Sequence, residues 1–264
     1  MADFTAKDVQ ALRQSTGAGM MDAKKALVEN DGDPEAAAQW LREKGIAKSA
    51  SRSDRENSEG IVVARVEGST AAIIELKCET DFVAKSEQFG EMAENILAAV
   101  LAQGEDAVSE SATDLENMKI TLKENIDLGR VIRYEASPGA VLDAYVHQQN
   151  GRGVNAVLIE IDNGDPEIAH DVALHIASSR PKYLTRDDVP SEAVAAERET
   201  LENITRNEGK PEQAIEKIVD GRMDGFFRDS ALLEQKFVKD EKMAISDLLA
   251  GSTITRFVQV EIGN

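Results

Sequence analysis

Gly60-Ile61-Val62-Val63-Ala64-Arg65-Val66, a turn at Gly68-Ser69, Ala71 to Lys77, and then Cys78-Glu79-Thr80-Asp81-Phe82-Val83-Ala84-Lys85 set the architecture of this chain. Two apolar runs joined by a tight Gly-Ser turn read as an antiparallel hairpin. From Ser86 to Ala102 the period changes, and Phe89, Met92, Ala93, Ile96, Leu97 and Val100 fall on one helical face. The same order returns downstream. Gly139 to Val146, a Gly151-Arg152-Gly153 turn and Val154 to Ile161 form a second hairpin. A helix capped by Asp165-Pro166 follows, with Ile168, Val172 and Ile176 on one face. Hairpin plus helix, twice, predicts an α+β fold with a duplicated antiparallel-sheet-plus-helix core. Thr113 to Asn125 reads as helix and Leu128 to Glu135 as a third strand of the first unit. Thr253 to Ile262 reads as the third strand of the second.

Phe82 is the odd residue of the corner. The strand's apolar pattern closes near Leu76 or Cys78, and the helical stripe resumes at Phe89. Pattern allows Phe82 either to tuck beneath its own helix or to point outward beside Asp81.

The flanks are helical. Thr5 with Asp8 makes a start resembling a capping box, Val9 and Leu12 share a face, and Gly17 stops the first helix. A second helix spans about Met20 to Asn30. A third starts from Asp33 with Pro34 at its first position, buries Trp40 and Leu41, and is expected to end at Gly45. Ile46 to Glu59 is polar and reads as a linker crossed by few contacts. Farther on, Val194, Leu201 and Ile204 lie along one helix and Ile215, Ile218 and Val219 along another, with Gly209-Lys210-Pro211 between them. Narrow apolar seams with charged flanks predict a protruding antiparallel helical hairpin. A further helix is expected near Met243 to Leu249. The expected domains are 1–53, three helices; 54–138, first core unit; 139–188 with 229–264, second core unit; and 189–228, the helical hairpin.

Composition narrows the function. A formal charge of −19 repels phosphate backbones, so direct nucleic-acid binding is not expected. The same charge suits a partner protein with a basic face. One cysteine, Cys78, gives no internal disulfide and fits a reducing cytoplasm. The polar start Met1-Ala2-Asp3-Phe4 is unlike a signal peptide, and Ile96 to Ala102 is too short an apolar run to cross a membrane. Gly17-Ala18-Gly19-Met20 joins helix to helix with no strand before it and no Gly-Lys-Ser/Thr after it, so it is no phosphate loop.

Catalytic constellations are not evident. His170 and His175 stand about 140° apart round a helix and share no ligand face. No Cys, His or carboxylate cluster has metal spacing, and no nucleophile elbow is present, so neither an enzyme nor a metal or cofactor is expected. Asp81 and His147 make an imaginable acid–base pair that nothing in the sequence brings together. His175 is expected to pack at the inner edge of its helix. His147 ends a strand and is expected to be exposed. Of Met20 and Met21, at least one is expected in a core, and an exposed methionine is an adaptable contact.

Three stretches resemble the signatures of the elongation factor Ts family. They are Thr16-Gly17-Ala18-Gly19-Met20-Met21-Asp22 with Lys24-Lys25-Ala26-Leu27, then Cys78 to Lys85, then Leu233-Glu234-Gln235 with Phe237-Val238. The resemblance spans essentially the whole chain. It implies a ubiquitin-associated-like three-helix domain, a duplicated core and a coiled coil. It also implies a nucleotide-exchange factor that binds elongation factor Tu, a GTPase. On that resemblance Thr80, Asp81, Phe82 and Val83 would enter the partner, with Phe82 wedging between helices and Asp81 disturbing the magnesium site. Leu12, Arg13, Met20 and Met21 would dock on the GTPase domain, Leu122 would touch the partner, and His147 would meet a more distant domain. A homodimer or a two-to-two complex stays open. Two features depart from the family. Lys123 stands where many members have Gly, and the chain stops at Asn264 where some members continue into a helix. Rival readings are a binding adaptor built on the three-helix unit and a hydrolase of unrecognised type. Neither accounts for Thr80 to Val83.

Overall fold

A computed structural model describes residues 4–50 and 52–263; Met1 to Asp3, Ser51 and Asn264 lie outside the described residues, and with them those parts of the expectations about the chain's start, its linker and its end. The chain opens with helices α1 (Ala6–Thr16), α2 (Met20–Glu29) and α3 (Pro34–Ala50). Thr5 caps α1: its N–H and hydroxyl both donate to Asp8 at 2.7 Å, and its hydroxyl accepts the Asp8 N–H. Gly17 ends α1 in the left-handed region at φ 66°, where a side chain would be strained. Val9, Leu12, Ala23, Ala26, Leu27 and Ala37 bury a small core between the helices. Trp40 is only half-buried, and the Lys44 ammonium lies 3.8 Å above its ring.

Helix α3 does not stop at Gly45; it runs on to Ala50. Gly45 is a point of close approach. A Cβ there would meet Ile120 Cγ2 at 2.6 Å, so its absence lets α3 lie against α6 (Ala112–Leu122). The expected free linker is also tied down. Arg52 Nη2 donates to the Lys119 carbonyl at 3.0 Å, and Asn57 donates to Asp127 at 3.0 Å. The reading of a linker crossed by few contacts is corrected: its first residues belong to α3, Ser49 and Arg52 are buried, and Arg52 and Asn57 bond to the helix and strand they lie against.

Between these helices lie strands β1 (Glu59–Glu67) and β2 (Thr70–Cys78), a single-turn helix α4 (Asp81–Ala84) and α5 (Glu87–Gln103). β3 (Asp127–Glu135) completes an antiparallel sheet in the order β1-β2-β3. β2 is buried along almost its full length, which its alternation explains. Ala72, Ile74 and Leu76 pack against Phe89, Ala93, Ile96 and Val100 of α5, while Ala71 and Ile73 face the other way. What they face is a second sheet. β4 (Ala140–Gln149), β5 (Arg152–Asp162) and β8 (Thr253–Glu261) pair antiparallel in the order β4-β5-β8, and Ala156, Leu158 and Val260 meet Val62, Ala71 and Ile73. Helix α7 (Pro166–Ser179) covers the outer face, where Val157, Ile159 and Ile161 contact Val172 and Ile176. The fold is therefore α+β, with two small antiparallel sheets back to back and a helix outside each.

Helices α8 (Ser191–Asn207) and α9 (Glu212–Ser230) form an antiparallel pair seamed by Val194, Leu201, Ile215, Val219, Met223, Phe226 and Phe227. Ile204 was expected in this seam and is instead 43% exposed. Thr205 takes the inward position, its hydroxyl accepting from Arg222 at 3.1 Å and donating to the Leu201 carbonyl. The expected helix near Met243 is likewise corrected. A small hairpin of β6 (Lys236–Phe237) and β7 (Asp240–Ala244) precedes a single turn, α10 (Ile245–Leu248), because Phe237, Ile245 and Leu249 all insert into the second core.

His175 is fully buried there. Its Nε2–H donates to Gln235 Oε1 at 2.9 Å, and its Nδ1 accepts the Val238 N–H at 3.2 Å. Burial above all pushes its pKa down, with the Gln235 bond working the other way. A histidine whose folded pKa lies below its unfolded value of about 6.5 contributes fully above that value, and the contribution is lost as pH falls through it toward the folded pKa. The urea midpoint is expected to fall from about pH 7 to about pH 5, and to fall less in His175→Gln; equal slopes in both chains would exclude His175 as the source.

A braced corner that presents Phe82

At the end of β2 the chain turns from sheet to helix within a few residues. Thr80 is the N-cap of α4, at φ −127° and ψ 151°, and its hydroxyl accepts the Val83 N–H at 3.3 Å. Val83 packs against the first core and Ala84 is buried in it. That placement turns the side chain just before them outward. Phe82 is 83% exposed, the most exposed of the large apolar side chains among the described residues. Pattern left two directions for this ring, and the structure takes the outward one.

Asp81 is bound by Lys85 at 2.5 Å, one helical turn on. That hydrogen bond is the main reason its carboxyl titrates below the usual range. The contact is a solvated one and contributes little to stability. Beneath the tip the corner is braced by long-range polar contacts. Glu124 accepts from the backbone of Glu79 and of Thr80 and from the Thr80 hydroxyl. Glu79 in turn accepts the Asn125 N–H at 2.6 Å and pairs with Arg55 at 3.4 Å. The Asn125 amide is buried and donates to the carbonyls of Ser53 and Arg55. Cys78 is buried, its thiol donates to the Thr80 carbonyl at 3.2 Å, and burial with the nearby Glu124 charge pushes its pKa up to about 12. Such a thiol is unreactive.

The other expected contact residues are placed unevenly. Arg13 is exposed, and so are both Met20 and Met21, at 48% and 74%. The expectation that one methionine is in a core is corrected: Ala23, Ala26 and Leu27 already fill the inner face of α2. Leu12 is buried in the three-helix core and offers no surface for a direct contact. Leu122 packs against the first core and is half-buried. His147 is exposed on β4 at a bulge opposite Asn155, on the second sheet, and takes no part in the corner's hydrogen bonds. The Gly17–Gly19 turn and Lys123 line one cleft of about 910 Å³ beside Trp40 and Arg52.

Lys123 is the C-cap of α6 at φ 61° and ψ 28°, the left-handed region. A Cβ there costs about 1 kcal/mol. Lys123→Gly is expected to raise stability by about 0.5–1 kcal/mol, read as a higher urea midpoint at unchanged slope. A lower midpoint would show that Lys123 makes a stabilising contact that outweighs the strain.

The sequence assigns no role to Glu79, Glu124, Asn125 or Arg55. Each is an ordinary polar residue in a turn, and only the fold makes them neighbours. Among the described residues no group of three His, Cys, Asp or Glu side chains is arranged to hold a metal, and no helix is long and apolar enough to cross a membrane.

The corner presents an exposed aromatic ring with a carboxylate beside it, held from below by hydrogen bonds, a feature of the kind found at protein–protein contacts. The family model described as Elongation factor TS matches residues 79–264, starting at this corner. The chain is similar to Elongation factor Ts of Clavibacter michiganensis subsp. michiganensis, 43% identical with the whole of both chains covered. Its identity to the Elongation factor Ts of Micrococcus luteus is 42%, again over the whole of both. For that of Mycobacterium tuberculosis it is 42% over all of this chain and 99% of the other. The chain belongs to the elongation factor Ts family.

Proposed function

We propose that the chain is a guanine-nucleotide exchange factor that binds elongation factor Tu carrying GDP, dislodges its magnesium and speeds GDP release during translation elongation in the cytoplasm. The observation that carries this reading is Phe82, exposed at 83% on a corner held from below by Glu124. In this reading Phe82 enters between helices of the GTPase domain, flanked by Thr80 and Val83. Asp81 exchanges its Lys85 contact for the surroundings of the partner's magnesium. Magnesium bound to the β-phosphate is the largest local charge there, so displacing it weakens the nucleotide most.

Energetics require more than one residue. An acceleration of about 10⁴-fold needs roughly 5.5 kcal/mol of differential stabilisation. Burying one Phe supplies about 1.5–3 kcal/mol. The rest falls to a wide interface. We assign Arg13, Met20 and Met21 of a ubiquitin-associated-like unit, residues 1–53, to docking on the GTPase domain. Leu122 and His147 are assigned to further contacts made by a duplicated core, residues 54–138 and 139–188 with 229–264. By linkage, nucleotide must weaken the complex by the factor that the chain weakens nucleotide.

The test mixes the purified chain with elongation factor Tu loaded with fluorescent GDP. Faster release supports exchange; binding without release would leave an adaptor; turnover of substrate would leave an enzyme. The coiled coil, residues 189–228, is assigned no part in exchange. Its root is anchored, since the Ser230 carbonyl accepts from Lys182 and Tyr183 and the Arg186 guanidinium lies 4.7 Å from the Phe227 ring centre. A chain in which a short Gly/Ser loop replaces residues 195–222 keeps that root, and loop closure costs little more as length changes. It is expected to fold and to release GDP at near-normal rates; loss of most exchange would give the coiled coil a direct role.

A further inference from the structure

We infer that Glu124 is a positioning residue for exchange: it makes no contact with the partner and sets the direction of Phe82 through Thr80. The inference rests on the exchange reading above and adds to it a residue outside the Thr80 to Val83 stretch.

The geometry is specific. β1 and β2 finish pairing at Glu59 and Cys78, so the N–H groups of Glu79 and Thr80 lie past the last rung of the ladder. Glu124 Oε2 accepts both, at 3.0 and 3.1 Å. Its other oxygen, Oε1, accepts the Thr80 hydroxyl at 2.5 Å. That hydroxyl has one proton. Giving it to Glu124 turns a lone pair of the same oxygen toward the Val83 N–H, the bond that caps α4. One carboxylate thus fixes two peptide groups and the rotamer of the capping side chain, and α4 holds Phe82 two residues on. Glu124 is itself held. The next residue, Asn125, is clamped by Glu79 and by the Ser53 and Arg55 carbonyls, so the brace does not swing with α6.

The residue type follows from the donor count. Three donors converge from one side, and a carboxylate has two acceptor oxygens and no donor of its own. Aspartate has the charge but is one methylene short. Glutamine has the reach but only one acceptor oxygen, and its NH₂ would face the Thr80 hydroxyl.

Cys78 supplies a reporter that needs no partner. It is the chain's one cysteine, it is buried, and its thiol donates to the Thr80 carbonyl inside this corner. Labelling of Cys78 by a disulfide reagent in the free chain therefore reads how often the corner opens. A urea series separates that local opening from global unfolding.

The experiment compares wild type, Glu124→Ala, Glu124→Asp and Glu124→Gln in Cys78 labelling and in GDP release from elongation factor Tu. Glu124→Ala is repeated on a Phe82→Ala background. Glu124→Ala and Glu124→Asp are expected to label roughly 10- to 100-fold faster at low urea and to exchange at least about tenfold more slowly, with Glu124→Gln between them and wild type. With Phe82 already Ala, Glu124→Ala is expected to change exchange by less than about twofold, since a residue that acts through Phe82 has nothing left to position. Exchange unaltered by Glu124→Ala, or reduced equally on both backgrounds, overturns the inference. Should Glu124→Ala fail to fold, Glu124→Gln decides by the same comparison. Wild type that does not speed GDP release overturns the exchange reading and this role together; active wild type with indifferent Glu124 variants overturns the role alone.

Discussion

Phe82→Ala is expected to lower GDP release from elongation factor Tu by about 30- to 800-fold at limiting chain concentration while leaving the melting temperature where it was. The size follows from the loss of about 2–4 kcal/mol when a central aromatic anchor is truncated. Indifference of the fold follows from exposure: at 83% the ring has little to lose inside its own molecule. Substitutions at such positions change stability by no more than about 0.5 kcal/mol. A melting temperature that dropped by several degrees would mean the ring is packed in solution, and the corner would then have no projection to offer.

Phe89→Ala is expected to do the reverse. Phe89 is fully buried under the first sheet, among Ala93, Ile96, Ile74 and Leu76. Truncation there costs about 3–5 kcal/mol through lost transfer and the cavity left behind. Against a total of about 5–15 kcal/mol for a folded domain, that is a large share. The urea midpoint should fall steeply, and exchange measured on the fraction still folded should be nearly normal. A loss below about 1 kcal/mol would show that the core collapses to fill the space. The two substitutions form a matched pair on neighbouring helices: one removes function from an intact fold, the other removes fold from an intact site.

Strands and helices were legible where burial alone dictates period. The stripe from Phe89 to Val100 and the alternation of Ala71 to Leu76 write their own faces, because each residue's choice is local. Phe82 was legible as an exception to both stripes, though not its direction, which depends on Val83 and Ala84 packing inward. Other features were hidden because their cause lies far along the chain. Gly45 carries the same sequence signal as a helix stop, and what makes it a contact point is Ile120. Arg52, Asn57 and Asn125 tie a polar segment to the core, and polar composition does not say to whom a side chain will donate. Thr205 displaced Ile204 from the helical seam because Arg222 and the Leu201 carbonyl could satisfy its hydroxyl. Glu124 is the clearest case. Its role exists only once α6 delivers it to the end of β2.

In the exchange reading, Phe82 acts on the nucleotide site and does more than add grip. The direct measurement is the GDP-release rate from elongation factor Tu as a function of chain concentration, carried to saturation for wild type and for Phe82→Ala. If the ring works by displacing elements around magnesium, the saturated rate itself falls, by about tenfold or more, with a smaller change in the half-saturating concentration. A Phe82→Ala chain that reaches the wild-type plateau at higher concentration would make Phe82 a docking contact only and would rule out its action on the nucleotide site.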